Sequence, residues 1–284
     1  MSTPSLEIVE APAVSVQDAG RKYWRAYGVP TGGAMDQESM RQANRLAGNQ
    51  DDAPVLEIAF ALVTLRVLAE VTIAITGADA SSSHPLWKSL KVASGDTVRL
   101  RGARAGLWSY LALGGGVEAP SFLGSASVNQ RAGIGRMFRP GDVICRQSDV
   151  QPGQIAGRFL SPDAIPDWNH SPSLTVWPGP EWMAFPDASR SRFLTGEWEI
   201  SPQSDRTGYR LRGSTISGGS AGILSGPMLT GTIQVPPSGE PIVLMRDGPT
   251  VGGYARLASV SGPDLNLLAQ CAPGTRVRFK INTP

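Results

Sequence analysis

The segment Pro273-Gly-Thr-Arg-Val-Arg-Phe-Lys-Ile281 carries the two signals on which the fold turns. Pro273-Gly274 reverses the chain. Val277, Phe279 and Ile281 then alternate with Arg276, Arg278 and Lys280. A period of two sets one row of side chains on a core and the other in water. The segment therefore predicts a tight turn feeding a half-buried strand. Ser94-Gly-Asp-Thr-Val98 and Pro140-Gly-Asp-Val-Ile144 repeat the design. The three are either ordinary turns or recurring barrel strands, and spacing leaves both open.

Working outward, short apolar and β-branched runs predict strands at Val55–Phe60, Val71–Thr76, Leu107–Leu113, Ser173–Trp177, Gly231–Val235, Ile242–Met245 and Arg256–Val260. Two segments predict helices. Asp36–Ala47 places Met40, Ala43, Leu46 and Ala47 on one face, with Asp36 as N-cap and Gly48 as the terminator. Asp264–Cys271 turns Leu265, Leu268 and Ala269 inward and stops at Pro273-Gly274. The proline-rich stretch Ser161–Ser173 predicts a linker, giving domains at 1–168 and 169–284.

The 284 residues include 33 glycines and 23 prolines without a collagen period, which favours many turns and a β-rich protein. The 41% hydrophobic and 18% charged content excludes a disordered chain. A formal charge of +2, with basic residues scattered, gives no nucleic-acid or membrane-surface patch. No signal peptide and no run of about 18 apolar residues is visible. Cys145 and Cys271 make no disulfide framework. The expectation is a cytoplasmic protein with reduced thiols.

Familiar catalytic motifs are missing. No Gly-Lys dipeptide supplies a P-loop. His84 and His170 have no metal-ligand spacing, so no metal site is expected. No Gly-x-Ser-x-Gly elbow occurs. Gly114–Gly116 follows a strand but leads into Val-Glu-Ala-Pro rather than the helix a dinucleotide fingerprint requires.

Three segments gather polar groups beside glycine and proline. Gly28-Val-Pro-Thr-Gly-Gly-Ala-Met-Asp36 enters the first helix, where free N–H groups attract an anion or simply receive a cap. In Ser201-Pro-Gln-Ser-Asp-Arg-Thr-Gly-Tyr-Arg-Leu211, the Arg206 fork suits a carboxylate or phosphate and Asp205 suits proton transfer or orientation. The alternative is a solvated turn with an ion pair. In Thr232–Arg246 followed by Gly252-Gly253-Tyr254, Gln234 and Ser238 offer amide and hydroxyl groups, and Gly239 allows close backbone approach. The alternative is a hairpin broken by Pro236-Pro237.

Together Gly28-Val-Pro, Gly33-Ala-Met-Asp36, Ala43-Asn-Arg-Leu46, Leu56-Glu-Ile58, Ile75-Thr-Gly-Ala-Asp79, Ser201-Pro-Gln-Ser-Asp-Arg206 and Gly231-Thr-Ile-Gln-Val-Pro-Pro-Ser-Gly239 resemble one family. It is known as allophanate hydrolase subunit 2, KipA or the C-type 5-oxoprolinase subunit. The urea carboxylase carboxyltransferase domain shares its fold unit. The likeness runs from about Gly28 to Phe279. Glu240 stands where family members commonly carry Gln.

The resemblance implies a mainly β fold of two β-barrel-type, cyclophilin-like domains with few short helices. It implies one component of a 5-oxoprolinase, which opens 5-oxoproline to glutamate with ATP and magnesium. The other components would be a KipI-like (B-type) partner and a YcsF/LamB-like (A-type) partner. Two other activities fit: a carboxyltransferase component of a urea-type biotin carboxylase, and a KipA-type regulator that binds a KipI-like partner. The sequence has no Met-Lys-Met biotinylation site, so biotin is not expected on this chain. The expected site joins Asp205 and Arg206 as catalytic groups with Gln203, Ser204, Tyr209, Gln234, Ser238, Gly239 and Tyr254 as substrate contacts. The Gly28–Asp36 loop is expected nearby.

Overall fold

The computed structural model describes residues 2–148, 155–219 and 223–282. The chain is mainly β and divides into two compact units. The first comprises residues 1–21 and 32–169, and the second 22–31 and 170–284. Lys22–Thr31, which the sequence assigns to the N-terminal domain, thus groups with the second unit. The tie is local: Arg25 donates to the carbonyls of Met228 and Pro249.

The first unit holds β1 (Thr3–Glu10), β2 (Val14–Gln17), α1 (Gln37–Leu46), β3 (Val55–Ala59), β4 (Leu62–Val67), β5 (Val71–Ser82), β6 (Ser89–Val92), β7 (Thr97–Leu113) and β8 (Val143–Arg146). They form one antiparallel sheet in the order β2-β3-β7-β4-β1-β8, with β5 pairing β6 and β7. The 17-residue β7 is the spine, pairing β4 along Thr97–Arg101 and β3 along Trp108–Leu111. Leu6, Ile8, Leu56, Ile58, Leu65, Ile73, Ile75, Leu111 and Leu113 fill the core. The helix α1 forms as the sequence predicts. Asp36 caps it by accepting from the Glu38 and Ser39 N–H groups, and Met40, Ala43 and Leu46 are buried.

The second unit holds β9 (Ser173–Pro178), α2 (Asp187–Thr195), β10 (Trp198–Ile200), β11 (Gly208–Arg212), β12 (Gly226–Pro227), β13 (Thr232–Val235), β14 (Ile242–Leu244), β15 (Val251–Gly252), β16 (Ala255–Val260), α3 (Gly262–Ala269) and β17 (Arg276–Ile281). Seven strands close a barrel in the order β10-β11-β14-β13-β16-β9-β17. The β17–β9 pair is parallel. Closure removes the edges that would otherwise recruit foreign strands. The helix α3 begins two residues earlier than its apolar spacing suggests, because Ser261 caps it and Pro263 suits its first turn. The helix α2 has no sequence signal: its residues Asp-Ala-Ser-Arg-Ser-Arg-Phe-Leu-Thr lack an apolar stripe, and only Ser189 and Phe193 are buried. Phe193 stacks on Phe279 of β17, with centroids 4.7 Å apart, and this tertiary contact replaces the missing periodicity. No helix among the described residues is long and apolar enough to cross a membrane.

The three Gly-centred segments prove to be one recurring device. In each, a chain reversal closes over three residues: Asp96 N to Ala93 O, Asp142 N to Arg139 O and Thr275 N to Ala272 O, at 3.0–3.1 Å. Gly95, Gly141 and Gly274 sit at φ +93°, +88° and +89°, as the third residue of such a turn demands. Each glycine N–H then donates to a neighbouring strand, at Val67, Ile8 and Ile200 respectively. The N–H of that same strand residue returns a bond to the residue after the glycine. The turn is thereby stitched into the sheet just before β7, β8 or β17 starts.

Candidate functional site

The Gly33–Asp36 end of the first loop is committed to the packing of the first unit. Gly33, at φ +94°, passes so close to the 18–19 backbone that a Cβ would lie 3.1 Å from the Asp18 carbonyl oxygen. Ala34 N donates to Asp18 O, Met35 N to the Glu57 carboxylate and Asp36 N to the Tyr110 hydroxyl. The anion at the α1 N-terminus is Asp36 itself, so the capping alternative describes this segment. Burial, with the Glu57 and Asp36 carboxylates close by, raises the Tyr110 phenol well above its ordinary value. Tyr110 donates to Glu57 at 3.0 Å and remains a neutral hydroxyl.

The Ser201–Leu211 segment makes the β10–β11 turn. Asp205 is exposed and bonds its own turn, accepting from Thr207 N at 2.7 Å and Gly208 N at 3.2 Å. Ser204 Oγ accepts from Arg210 N, and Gln203 is exposed. Arg206 presents its fork to Asp247, with Nε 2.8 Å and Nη2 3.1 Å from the two carboxylate oxygens. The pair is mostly buried, with side chains 19% and 8% exposed, and Asp247 N closes the link by donating to Arg206 O. Arg206 therefore ties two turns together rather than holding its fork open for an anion. Tyr209 is buried and donates to Ala269 O on α3 at 2.8 Å, so it braces the helix and does not face solvent.

The Thr232–Tyr254 segment lies elsewhere on the barrel. Gly239, at φ +77°, packs on Thr215 and Ile216, where a Cβ would clash at 2.3 Å. Ser238 Oγ accepts from Glu240 N and is otherwise exposed. Gln234 is 8% exposed, and its side chain has no hydrogen-bond partner among the described residues. It lies beside Gly252, where an added Cβ would meet Met228 at 2.8 Å and Gln234 Oε1 at 3.6 Å. Tyr254 is 44% exposed and directly precedes Ala255, the register partner of Val235.

Register shows what the barrel brings together. Gly208 faces Leu244 and Arg210 faces Ile242, so the 201–207 turn sits at the Leu244 end of β14. Gln234 faces Ile242, so the 236–241 turn sits at the opposite end. The five-residue β11 separates them by about 13 Å at a rise of about 3.3 Å per residue. Gln203, Ser204, Asp205 and Arg206 thus form one group, while Gln234, Ser238, Gly239 and Tyr254 share the other end. The single cluster expected from the sequence is two clusters. Strand pairing decides this, because neighbouring antiparallel hairpins send successive turns to opposite ends of a barrel.

A third polar centre, in the first unit, is not singled out by the sequence. Asp18, Arg21, Ser125 and Ser127 are all buried. The Asp18 carboxylate accepts from the Ser125 and Ser127 hydroxyls and the N–H groups of Gly20 and Ala126, at 2.5–2.7 Å. Arg21 donates to the Phe122 and Ser127 carbonyls and lies 5.8 Å from the Phe122 ring centroid. So many charge-assisted bonds hold the 18–21 and 122–129 loops in one arrangement. The signal is present as Gln-Asp-Ala-Gly-Arg21, a polar run ending β2, but its partners lie more than a hundred residues away.

The carboxyltransferase domain family, subdomains A and B, matches residues 27–281. The chain is 34% identical to the C-type subunit of the Escherichia coli 5-oxoprolinase, over 96% of this chain and 90% of that protein. It is 30% identical to the urea amidolyase of Lachancea kluyveri, over 90% of this chain but 16% of that protein. Among solved structures it resembles TTHA0988, with a TM-score of 0.89 and 35% identity, spanning 98% of this chain and 55% of that one. The urea carboxylase of Kluyveromyces lactis superposes with a TM-score of 0.88 at 26% identity, over all of this chain and 28% of its own. The match across both units, at these identities, makes this chain a member of the carboxyltransferase domain family that includes the C-type subunits of 5-oxoprolinases.

Proposed function

We propose that the chain is the C-type subunit of an ATP-dependent 5-oxoprolinase, working with a KipI-like B-type partner and a YcsF/LamB-like A-type partner. The observation that carries this reading is the likeness across both units: the chain is 34% identical to the Escherichia coli C-type subunit over 96% of its length, against 30% over 90% for a urea amidolyase.

The chemistry needs fixed donors. A lactam is stabilised by amide resonance, and opening it places charge on the carbonyl oxygen. ATP supplies activation of that oxygen in the assembled enzyme. Among the described residues no group of three or more His, Cys, Asp or Glu side chains could hold a metal ion, so they offer no preassembled magnesium cage. What the chain does offer lies at the Gln234 end of the barrel. Gln234 carries an amide with both a donor and an acceptor, which matches the N–H and C=O of a lactam. Ser238 and Tyr254 add hydroxyl groups at the same end. Interactions of this kind stabilise a developing oxyanion without a nucleophile.

The test is turnover by the complex co-purified with its partners, following 5-oxoproline-dependent ADP and glutamate release. The complex is expected to be active and the single chain inactive. Gln234→Ala is expected to lower kcat/KM by roughly 10–100-fold, the scale of one or two lost hydrogen bonds to a developing charge. Robust turnover by the single chain, or an unaffected Gln234→Ala complex, would overturn the reading. Carboxylation of a urea-like amide by the complex with a biotin donor would replace it with the carboxyltransferase alternative.

A further inference from the structure

β7 departs from regular strand geometry at Gly102, whose φ is +111°. The opposite strand, β5, shifts register three times between Gly77 and Ser82. In an unbroken strand, residues 101 and 104 would project to opposite faces. Here both Arg101 and Arg104 line one groove of about 670 Å³, shared with the Ser81–His84 segment. Small-molecule sites have volumes of about 300–1,000 Å³, and strand irregularities of this kind recur beside binding sites.

The side-chain groups lining the groove present donors. Arg99 N–H donates to Ser83 Oγ at 2.9 Å. Ser83 Oγ and His84 Nδ1 also lie within hydrogen-bond distance, 2.9 Å apart. Ser82 Oγ accepts from His84 N at 3.1 Å and keeps its own hydrogen to donate. Asp79, the acidic end of the Ile75–Asp79 segment, turns both oxygens onto Arg104 at 3.2 and 2.6 Å and so fixes that guanidinium at the rim. Arg101 has no side-chain hydrogen bond or ion pair among the described residues, and it also borders an adjoining groove in which Glu10 is engaged by the Thr64 hydroxyl.

We propose that this groove binds an oxyanion of the phosphate class. Two guanidinium groups, an imidazole and serine hydroxyls line the same groove, and a phosphate, with more acceptor oxygens than a carboxylate, can engage more of them at once. This site lies on the first unit and does not rest on the reading of the Gln234 end. Calorimetric titration of the full chain with inorganic phosphate and with a phosphate monoester such as glycerol 2-phosphate tests it. Saturable binding is expected, weakened at least tenfold by Arg101→Gln and left unchanged by Arg66→Gln, which alters an exposed arginine already paired with Glu7. Tighter binding of the ester would assign the groove to a phosphorylated small molecule, and equal binding would assign it to the phosphate ion; both support the site. Ser81→Asp, which places a negative charge in the groove without removing an arginine, is expected to abolish binding while the melting temperature holds. Absence of saturable phosphate binding, or equal binding by wild type, Arg101→Gln and Ser81→Asp, would overturn the proposal.

Discussion

Replacing Asp247 or Arg206 tests whether that pair is a structural tie or a grip on substrate. Two charged hydrogen bonds, at 2.8 and 3.1 Å, join side chains that are 19% and 8% exposed. Hydrogen bonds to charged groups contribute about 1.5–3 kcal/mol each, and removing one partner of a buried pair costs about 3–5 kcal/mol. Partial exposure of the arginine lets water replace some of the loss, so Asp247→Asn should destabilise by about 2–3 kcal/mol. For a chain of this size that lowers Tm by roughly 4–12 °C. Arg206→Lys keeps the charge but loses the fork, and should cost about 1–2 kcal/mol. Thermal unfolding monitored by circular dichroism gives the stability, and turnover of the co-purified complex per folded enzyme gives the function. A structural tie predicts lower Tm and retained kcat/KM for Arg206→Lys. If Tm is unchanged while kcat/KM falls tenfold or more, the fork serves substrate and the reasoning from its Asp247 contact fails.

Three further outcomes follow from other contacts. Tyr110→Phe removes the donor to Glu57 and the acceptor of Asp36 N–H in a fully buried site, so denaturant unfolding should show a loss of about 2–4 kcal/mol; a loss below about 0.5 kcal/mol would remove this hydroxyl from the loop's support. Arg136, by hydrogen bonding, holds the Asp142 carboxyl down to about 2, so its folded value lies below its unfolded one: the stabilisation is complete above the ordinary carboxylate range and is lost as pH falls from about 4 toward 2. Carboxyl titration by NMR should place Asp142 back in the ordinary range in Arg136→Gln, and an unmoved titration would refute the assignment. Burial pushes the Cys271 thiol up to about 12, whereas Cys145 is only half-buried, so a thiol reagent at pH 8 should label Cys145 well before Cys271 as read by peptide mass spectrometry; equal rates would contradict the packing around Cys271.

The sequence by itself determined the elements whose physics is local. The alternation in Arg276–Ile281 produces β17, the apolar face and Asp36 cap produce α1, and the three turn glycines initiate β7, β8 and β17. Each depends on side chains within a few residues, so its signal survives in the linear order. Family membership was legible for the same reason, since it rests on short contiguous motifs. Only tertiary structure decided the rest. The helix α2 exists because Phe193 finds Phe279 across the fold, a contact with no periodic trace. Lys22–Thr31 joins the second unit because Arg25 reaches carbonyls some two hundred residues away. The two motif groups of the barrel stand at opposite ends because the register of β11, β14 and β13 places them there. Arg206 is occupied because the chain returns Asp247 to it from 41 positions further on. Chemical type and spacing show which groups are available, but the partner each one meets is set by strand pairing and loop closure, and those are properties of the whole folded chain.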